Sequence, residues 1–117
     1  EDLINRGRND IVYTLYNATA DEQLADTDVL IFRDGRRYSV PAGSEVVLKP
    51  GESLTLYPYC YHEFTIPKSG GSVLIGEVSM CNDDNTDNRF LNPLGRFPTI
   101  EEDEPPYRLL CNEYPKA

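Results

Sequence analysis

The feature that most constrains this chain is a succession of short strand-forming segments with turn signals between them. Glycine- or proline-containing turns separate most of these segments, and no long helical pattern interrupts them. Short strands in such a series predict an all-β sandwich or barrel. The predicted strands are residues 9–17, 29–33, 36–40, 45–48, 53–57, 61–66 and 72–79.

Residues 9–17 show the clearest strand periodicity. Ile11, Tyr13 and Leu15 alternate with three other strand formers at positions 12, 14 and 16, which places the first three side chains on one face. Residues 72–79 contain a continuous apolar run instead of an alternation. A run of that kind is typical of a strand buried on both faces, and we expect such burial here.

Two turns predict hairpins. Asp34 and Gly35 separate residues 29–33 from residues 36–40, and an Asp-Gly pair tolerates the positive φ angles of a type I′ turn. A Lys-Pro-Gly-Glu turn at residues 49–52 lies between the next two predicted strands. The sequence therefore predicts a second hairpin directly after the first.

Composition excludes several classes of partner. The net charge of −9 would repel nucleic acid, so no nucleic-acid partner is expected. The apolar runs are too short to cross a membrane. Three separated cysteines, Cys60, Cys81 and Cys111, without a Cys-x-x-Cys pair favour the reducing cytoplasm over a disulfide-bonded secreted protein.

Polar side chains concentrate after the last clear strand. Residues 76–90 begin with Gly-Glu-Val-Ser and continue with asparagines, aspartates and an arginine, and a single histidine, His62, lies upstream. Such donors and acceptors suit the hydroxyls of a sugar or small polyol. The alternative is a solvated loop, because Asn, Asp and Ser also mark turns.

Two short motifs resemble parts of the cupin superfamily. A strand, Pro58 and then His62 resemble the second cupin motif, although the histidine arrives one residue early and the usual glycine is replaced. Glu1 followed by Gly7 resembles the end of the first motif, in which a His-x-His pair precedes the glutamate. That pair is absent from this chain.

Four separated motifs narrow the resemblance to the D-lyxose ketol-isomerase family of cupins. They extend over nearly the whole chain: Glu-Asp-Leu-Ile-Asn-Arg-Gly at 1–7, Pro-Gly-Glu-Ser-Leu-Thr-Leu at 50–56, Gly-Glu-Val-Ser at 76–79 with the Asn and Asp residues after it, and Leu-Cys-Asn-Glu-Tyr at 110–114. The resemblance implies an all-β, cupin-type jelly-roll barrel that interconverts D-lyxose and D-xylulose. Residues 1–117 would form a single cupin domain that lacks an N-terminal segment.

The same resemblance implies a divalent cofactor, of which manganese is the expected kind. His62 and Glu1 carry over as metal ligands, and two further histidines would precede Glu1. Imidazole and carboxylate are suitable ligands for such an ion. The implied small-molecule partner is a pentose.

Isomerisation also needs a base beside C1 and C2 of the sugar. Glu77, Asp84, Asp87 and Glu113 are the candidates, and we favour Glu77 as a site-lining residue because a carboxylate in an apolar strand needs a partner or a polar cavity. Arg89 is a candidate substrate-binding residue, with an ion pair to Asp87 as the alternative.

Other functions remain open at this stage. A single histidine makes a weak manganese site, which favours a non-catalytic sugar-binding cupin module as the alternative to an isomerase. A third hypothesis is another metal cupin, such as an epimerase or sugar-phosphate isomerase, although only Arg36 and Arg37 cluster to bind phosphate. Exposed strand edges of a shortened barrel suggest a homodimer.

Overall fold

The computed structural model describes residues 1–81, 87–92, 101, 103–109 and 113–115. These residues form eight strands and one short 3-10 helix, Lys68–Gly70. The strands are β1 (Asp2–Asn5), β2 (Ile11–Asn17), β3 (Val29–Arg33), β4 (Arg36–Val40), β5 (Glu45–Leu48), β6 (Ser53–Leu56), β7 (Cys60–Thr65) and β8 (Ile75–Val78).

The strands form two antiparallel sheets. The larger sheet has the order β4-β3-β6-β1-β8, and the smaller has the order β5-β2-β7. Sequence neighbours such as β1 and β2 lie in different sheets, as in a jelly roll, so the chain repeatedly crosses from one sheet to the other. The predicted all-β, cupin-type jelly-roll fold is confirmed.

The core lies between the sheets and follows from period-2 alternation. In β2, Ile11, Tyr13 and Leu15 are buried while the residues between them are only partly covered. Leu3 contributes from β1 and Leu54 from β6, so the inner face of the larger sheet packs against that of the smaller. The remaining buried apolar residues are Val29, Ile31, Val46, Leu48 and Leu56.

The first predicted hairpin is confirmed. β3 and β4 pair with Arg33 opposite Arg36, which leaves a two-residue loop. Both loop residues have positive φ angles, 47° at Asp34 and 75° at Gly35, as a type I′ turn requires.

The second predicted hairpin is wrong. β5 pairs with β2 in the smaller sheet, whereas β6 pairs with β1 and β3 in the larger one. The turn between them forms hydrogen bonds with Asn5: the Asn5 amide donates to the Glu52 carbonyl at 3.0 Å, and the Gly51 amide donates to the Asn5 carbonyl at 2.8 Å. The predicted turn at residues 49–52 is present, but a turn does not specify whether the strands that flank it pair with each other.

The expectation of burial on both faces of residues 72–79 is also wrong. Only Ile75–Val78 form a strand, and this strand is the edge of the larger sheet. Leu74 and Val78 are both exposed. An apolar run therefore marked an edge strand here, and homodimerisation through such an edge stays a prediction.

Asn5 connects the two sheets through its side chain. The residue is fully buried at the end of β1, and its Nδ2 donates to the carbonyls of Asn9 at 2.8 Å and Leu48 at 2.9 Å. Its Oδ1 accepts a hydrogen bond from the Gly7 amide at 2.9 Å. Because Leu48 ends β5, this amide fixes the position of β1 against the smaller sheet.

Replacing Asn5 with alanine should therefore destabilise the fold strongly. The change leaves two buried carbonyls without their donor and opens a cavity, so we expect the free energy of unfolding to fall by roughly 2–4 kcal/mol. Urea denaturation followed by circular dichroism measures the loss. Asn17→Ala is the matched control, because the Asn17 side chain also donates two hydrogen bonds but these are exposed to solvent, and their loss should cost about 1 kcal/mol or less. Equal losses in the two variants would contradict the role assigned to Asn5.

Candidate functional site

Glu1 and His62 approach each other across the two sheets. The Glu1 backbone extends the β1–β6 ladder: its nitrogen donates to the Leu56 carbonyl at 3.0 Å, and its carbonyl accepts from the Leu56 amide at 2.9 Å. His62 lies on β7 opposite Leu15, which is buried, so the imidazole is on the inner face of the smaller sheet. The Nε2 atom of His62 lies 3.0 Å from Glu1 Oε1.

Both nitrogens of the His62 ring face oxygen atoms. Nε2 faces the Glu1 carboxylate, and Nδ1 lies 3.2 Å from the Cys60 carbonyl. A neutral imidazole carries only one N–H group and cannot donate to both oxygens. An N–H group at Nδ1 that donates to the Cys60 carbonyl would leave the Nε2 lone pair directed at the Glu1 carboxylate.

Glu77 lies on the inner face of the larger sheet. It is opposite Leu3 in the β1–β8 ladder, and residues directly opposite in an antiparallel pair point to the same side. Since Leu3 is buried in the core, Glu77 points toward the space between the sheets, although its edge strand leaves it exposed. The sequence predicted a buried strand in which the Glu77 carboxylate would need a partner. Because β8 is exposed at Glu77, water can solvate the carboxylate instead.

Tyr13 is a residue of this region that the sequence argument assigned only to the strand. Its side chain is buried, and its ring packs against Phe64 with 5.7 Å between the centroids. Burial raises the pKa of the Tyr13 hydroxyl, and the negative charges of Glu1 and Glu77 raise it further. Both carboxylates thus lie within electrostatic range of this phenol.

Cys60 is the second residue that sequence reasoning did not assign to the site. It lies two positions before His62 on β7 and therefore on the same face. Burial raises the pKa of its thiol to about 11, with the charge of Glu1 as the next cause. The signal that points to Tyr13 and Cys60 is the strand alternation, which places polar tips on an otherwise apolar face.

Three other predicted site residues, Asp87, Arg89 and Glu113, lie outside the described strands. Arg89 forms an ion pair with Glu22 at 3.1 Å, and both side chains are more than half exposed. Asp87 and Glu113 are exposed residues outside the strands, and Asp84 lies outside the described residues. The catalytic or binding roles of these four residues stay predictions.

Within the described residues, no group of three or more His, Cys, Asp and Glu side chains is close enough to hold a metal ion. The described part of the chain thus brings together two of the expected ligand types, the imidazole of His62 and the carboxylate of Glu1.

None of the described helices is long and apolar enough to span a bilayer.

The fold and the Glu1–His62 pair define a cupin-type β domain with an imidazole and a carboxylate between its sheets. A family model described as D-lyxose isomerase matches residues 1–114, and the chain belongs to that family. This match confirms the family that the sequence motifs resemble.

Two curated relatives carry the description D-lyxose/D-mannose isomerase. The one from Escherichia coli O157:H7 is 50% identical over 114 residues, and the one from Serratia proteamaculans is 52% identical over 114 residues. Each alignment covers 97% of this chain and 50% of the relative. The chain therefore spans about half the length of the curated relatives it matches.

The raised pKa of Cys60 leads to a prediction about thiol reactivity. At pH 8 a pKa near 11 leaves the Cys60 thiol protonated, whereas Cys81 is exposed. Because the thiolate is the reactive form, we expect iodoacetamide to modify Cys60 at least about tenfold more slowly than Cys81. Mass spectrometry of the digested protein identifies the modified cysteine.

The rate at Cys60 should rise steeply between pH 9 and 11, as the thiolate becomes populated. Protein denatured in guanidinium provides the control, because both thiols should then react at similar rates. Equal rates in the folded protein at pH 8 would contradict the buried environment beside Glu1.

Proposed function

We propose that this chain binds a divalent ion of the manganese type together with a pentose, and takes part in the interconversion of D-lyxose and D-xylulose. Family membership supports the reaction class. The observation that carries the location is the 3.0 Å approach of His62 Nε2 to Glu1 Oε1, which joins the two sheets at one point.

The chemistry of this pair fits a divalent cation. Imidazole nitrogen and carboxylate oxygen are donor types that such an ion accepts, and the two atoms lie 3.0 Å apart, so one ion could be bound by both. Metal-bound histidines commonly donate their other ring N–H to a backbone carbonyl, and His62 Nδ1 faces the Cys60 carbonyl in that way. Glu1 and His62 are accordingly the residues of this chain that would hold the ion.

The reaction moves two hydrogens within the sugar. The proton on C2 leaves to a base and is returned to C1, while O1 gains a proton and O2 loses one. A bound divalent ion supplies Lewis-acid stabilisation of the charge that grows on the sugar oxygens. The chain itself must supply the base within reach of C1 and C2.

Glu77 is the residue to which we assign the base. Its carboxylate points into the same space between the sheets as Glu1 and His62, and its exposure lets a ligand reach it. Asp84, Asp87 and Glu113 are the other candidates that the sequence offers.

The names of the relatives also inform the substrate class. D-lyxose and D-mannose share the same configuration at C2, C3 and C4 and differ by the carbon at the far end of the sugar. A binding site that contacts the sugar only from C1 to C4 would accept both D-lyxose and D-mannose. We therefore propose aldoses of this configuration as the substrates.

Replacing His62 with alanine tests the proposal through metal binding and turnover. The variant should bind Mn²⁺ at least about tenfold more weakly than the unaltered chain. The dissociation constant is measured by electron paramagnetic resonance, in which the signal of free Mn²⁺ disappears as the ion binds. Conversion of D-lyxose to D-xylulose with added Mn²⁺ should fall at least about 100-fold.

Glu63→Gln is the matched control for this experiment. Glu63 neighbours His62 on β7 but is opposite Thr14, so its side chain points to the outer face. The control should retain metal affinity and turnover. A chain that binds pentoses without bound metal and without turnover would instead support the sugar-binding module, and unchanged turnover in the His62 variant would remove the mechanism.

A further inference from the structure

The Tyr13 hydroxyl is buried without a hydrogen-bond partner among the described residues. The residue is 1% exposed, and its Oη atom is the one buried side-chain nitrogen or oxygen in this part of the chain that lacks a partner. Burying a hydroxyl without a compensating hydrogen bond is unfavourable, and native proteins rarely leave such a group unpaired. The hydroxyl thus has hydrogen-bonding capacity that no described residue uses.

The position of Tyr13 indicates where a partner of this hydroxyl would lie. The side chain is on the inner face of β2, opposite Phe64 and diagonal to His62, which is two residues earlier on β7. Burial, followed by the negative charges of Glu1 and Glu77, raises the pKa of this hydroxyl, so it stays a neutral O–H group on the same inner face as His62.

Core packing explains the ring of Tyr13 but not its oxygen. The ring fills space among the apolar side chains and contacts Phe64 at 5.7 Å between centroids. A phenylalanine would provide the same contact without an unpaired polar atom. The hydroxyl thus contributes nothing to the packing that the ring does not already provide.

We propose that the Tyr13 hydroxyl donates a hydrogen bond to a hydroxyl oxygen of the bound aldose. The nature of this ligand rests on the proposed function, whereas the unpaired oxygen does not. Tyr13 is then a substrate-binding residue on β2 in addition to the carboxylates and the imidazole. A sugar oxygen suits this position because it can accept the phenolic proton and donate its own proton to a neighbouring carboxylate.

The test compares Tyr13→Phe with Tyr16→Phe and the unaltered chain. Tyr16 lies on the same strand but alternates to the opposite face, where its hydroxyl packs over Gly43. Three quantities are measured for each protein: the thermal midpoint without ligands by circular dichroism, the Mn²⁺ dissociation constant by electron paramagnetic resonance, and the D-lyxose dissociation constant by calorimetry at saturating Mn²⁺.

The Tyr13 variant should keep or raise the thermal midpoint, because it loses only an unpaired oxygen. Its affinity for Mn²⁺ should be unchanged, and its affinity for D-lyxose should fall about tenfold, the effect of losing one buried hydrogen bond. The Tyr16 variant should bind both ligands like the unaltered chain.

Four results would overturn the inference, the last of them together with the proposed function. A lower thermal midpoint with unchanged affinity for D-lyxose would show a structural hydroxyl. Weaker binding of Mn²⁺ with unchanged affinity for D-lyxose would show that the hydroxyl supports the ion and not the sugar. Equal losses of sugar affinity in the two variants would show a non-specific effect. If the unaltered chain does not bind D-lyxose, the proposed function fails, and the assignment of the sugar to Tyr13 falls with it.

Discussion

The buried amide of Asn5 is the interaction on which the geometry of this domain depends. β1 pairs with β6 and β8 on its two sides, but these ladders fix it only within the larger sheet. The Asn5 side chain joins the end of β1 to Leu48 in the opposite sheet, and its backbone binds the 49–52 turn. Asn5 thus fixes one end of β1 against the smaller sheet, while backbone hydrogen bonds to Leu56 hold Glu1 at the other end, next to His62.

The pair formed by Glu1 and His62 gives the domain its chemical character. Each residue comes from a different sheet, and the imidazole faces an oxygen acceptor on both nitrogens. The 3.0 Å between Nε2 and the carboxylate is a hydrogen-bonding distance, and this is the point at which we propose that a divalent ion binds. Glu77 and Tyr13 extend this polar region along the inner faces of β8 and β2, where carboxylates and a phenol replace the hydrocarbon found deeper in the core.

Local signals predicted the strands better than their pairing. The Asp34–Gly35 turn was predictable because two adjacent positive φ angles suit few residue pairs and fix the hairpin directly. The 49–52 turn carried an equally clear signal, but its partner is Asn5, which is far away in sequence. The exposure of β8 was not predictable for the same reason, since an edge strand is defined by its neighbours and not by its own composition.

The sequence by itself determined the all-β class, most strand positions, the family, and the expectation that Glu1 and His62 act together. Alternation and turn chemistry are local properties, and the family motifs are read directly from the residues. Only the tertiary structure decided the sheet to which each strand belongs, the 3.0 Å approach of Glu1 to His62, and the unpaired hydroxyl of Tyr13. These depend on distances between residues far apart in the chain, which the packing of the two sheets sets.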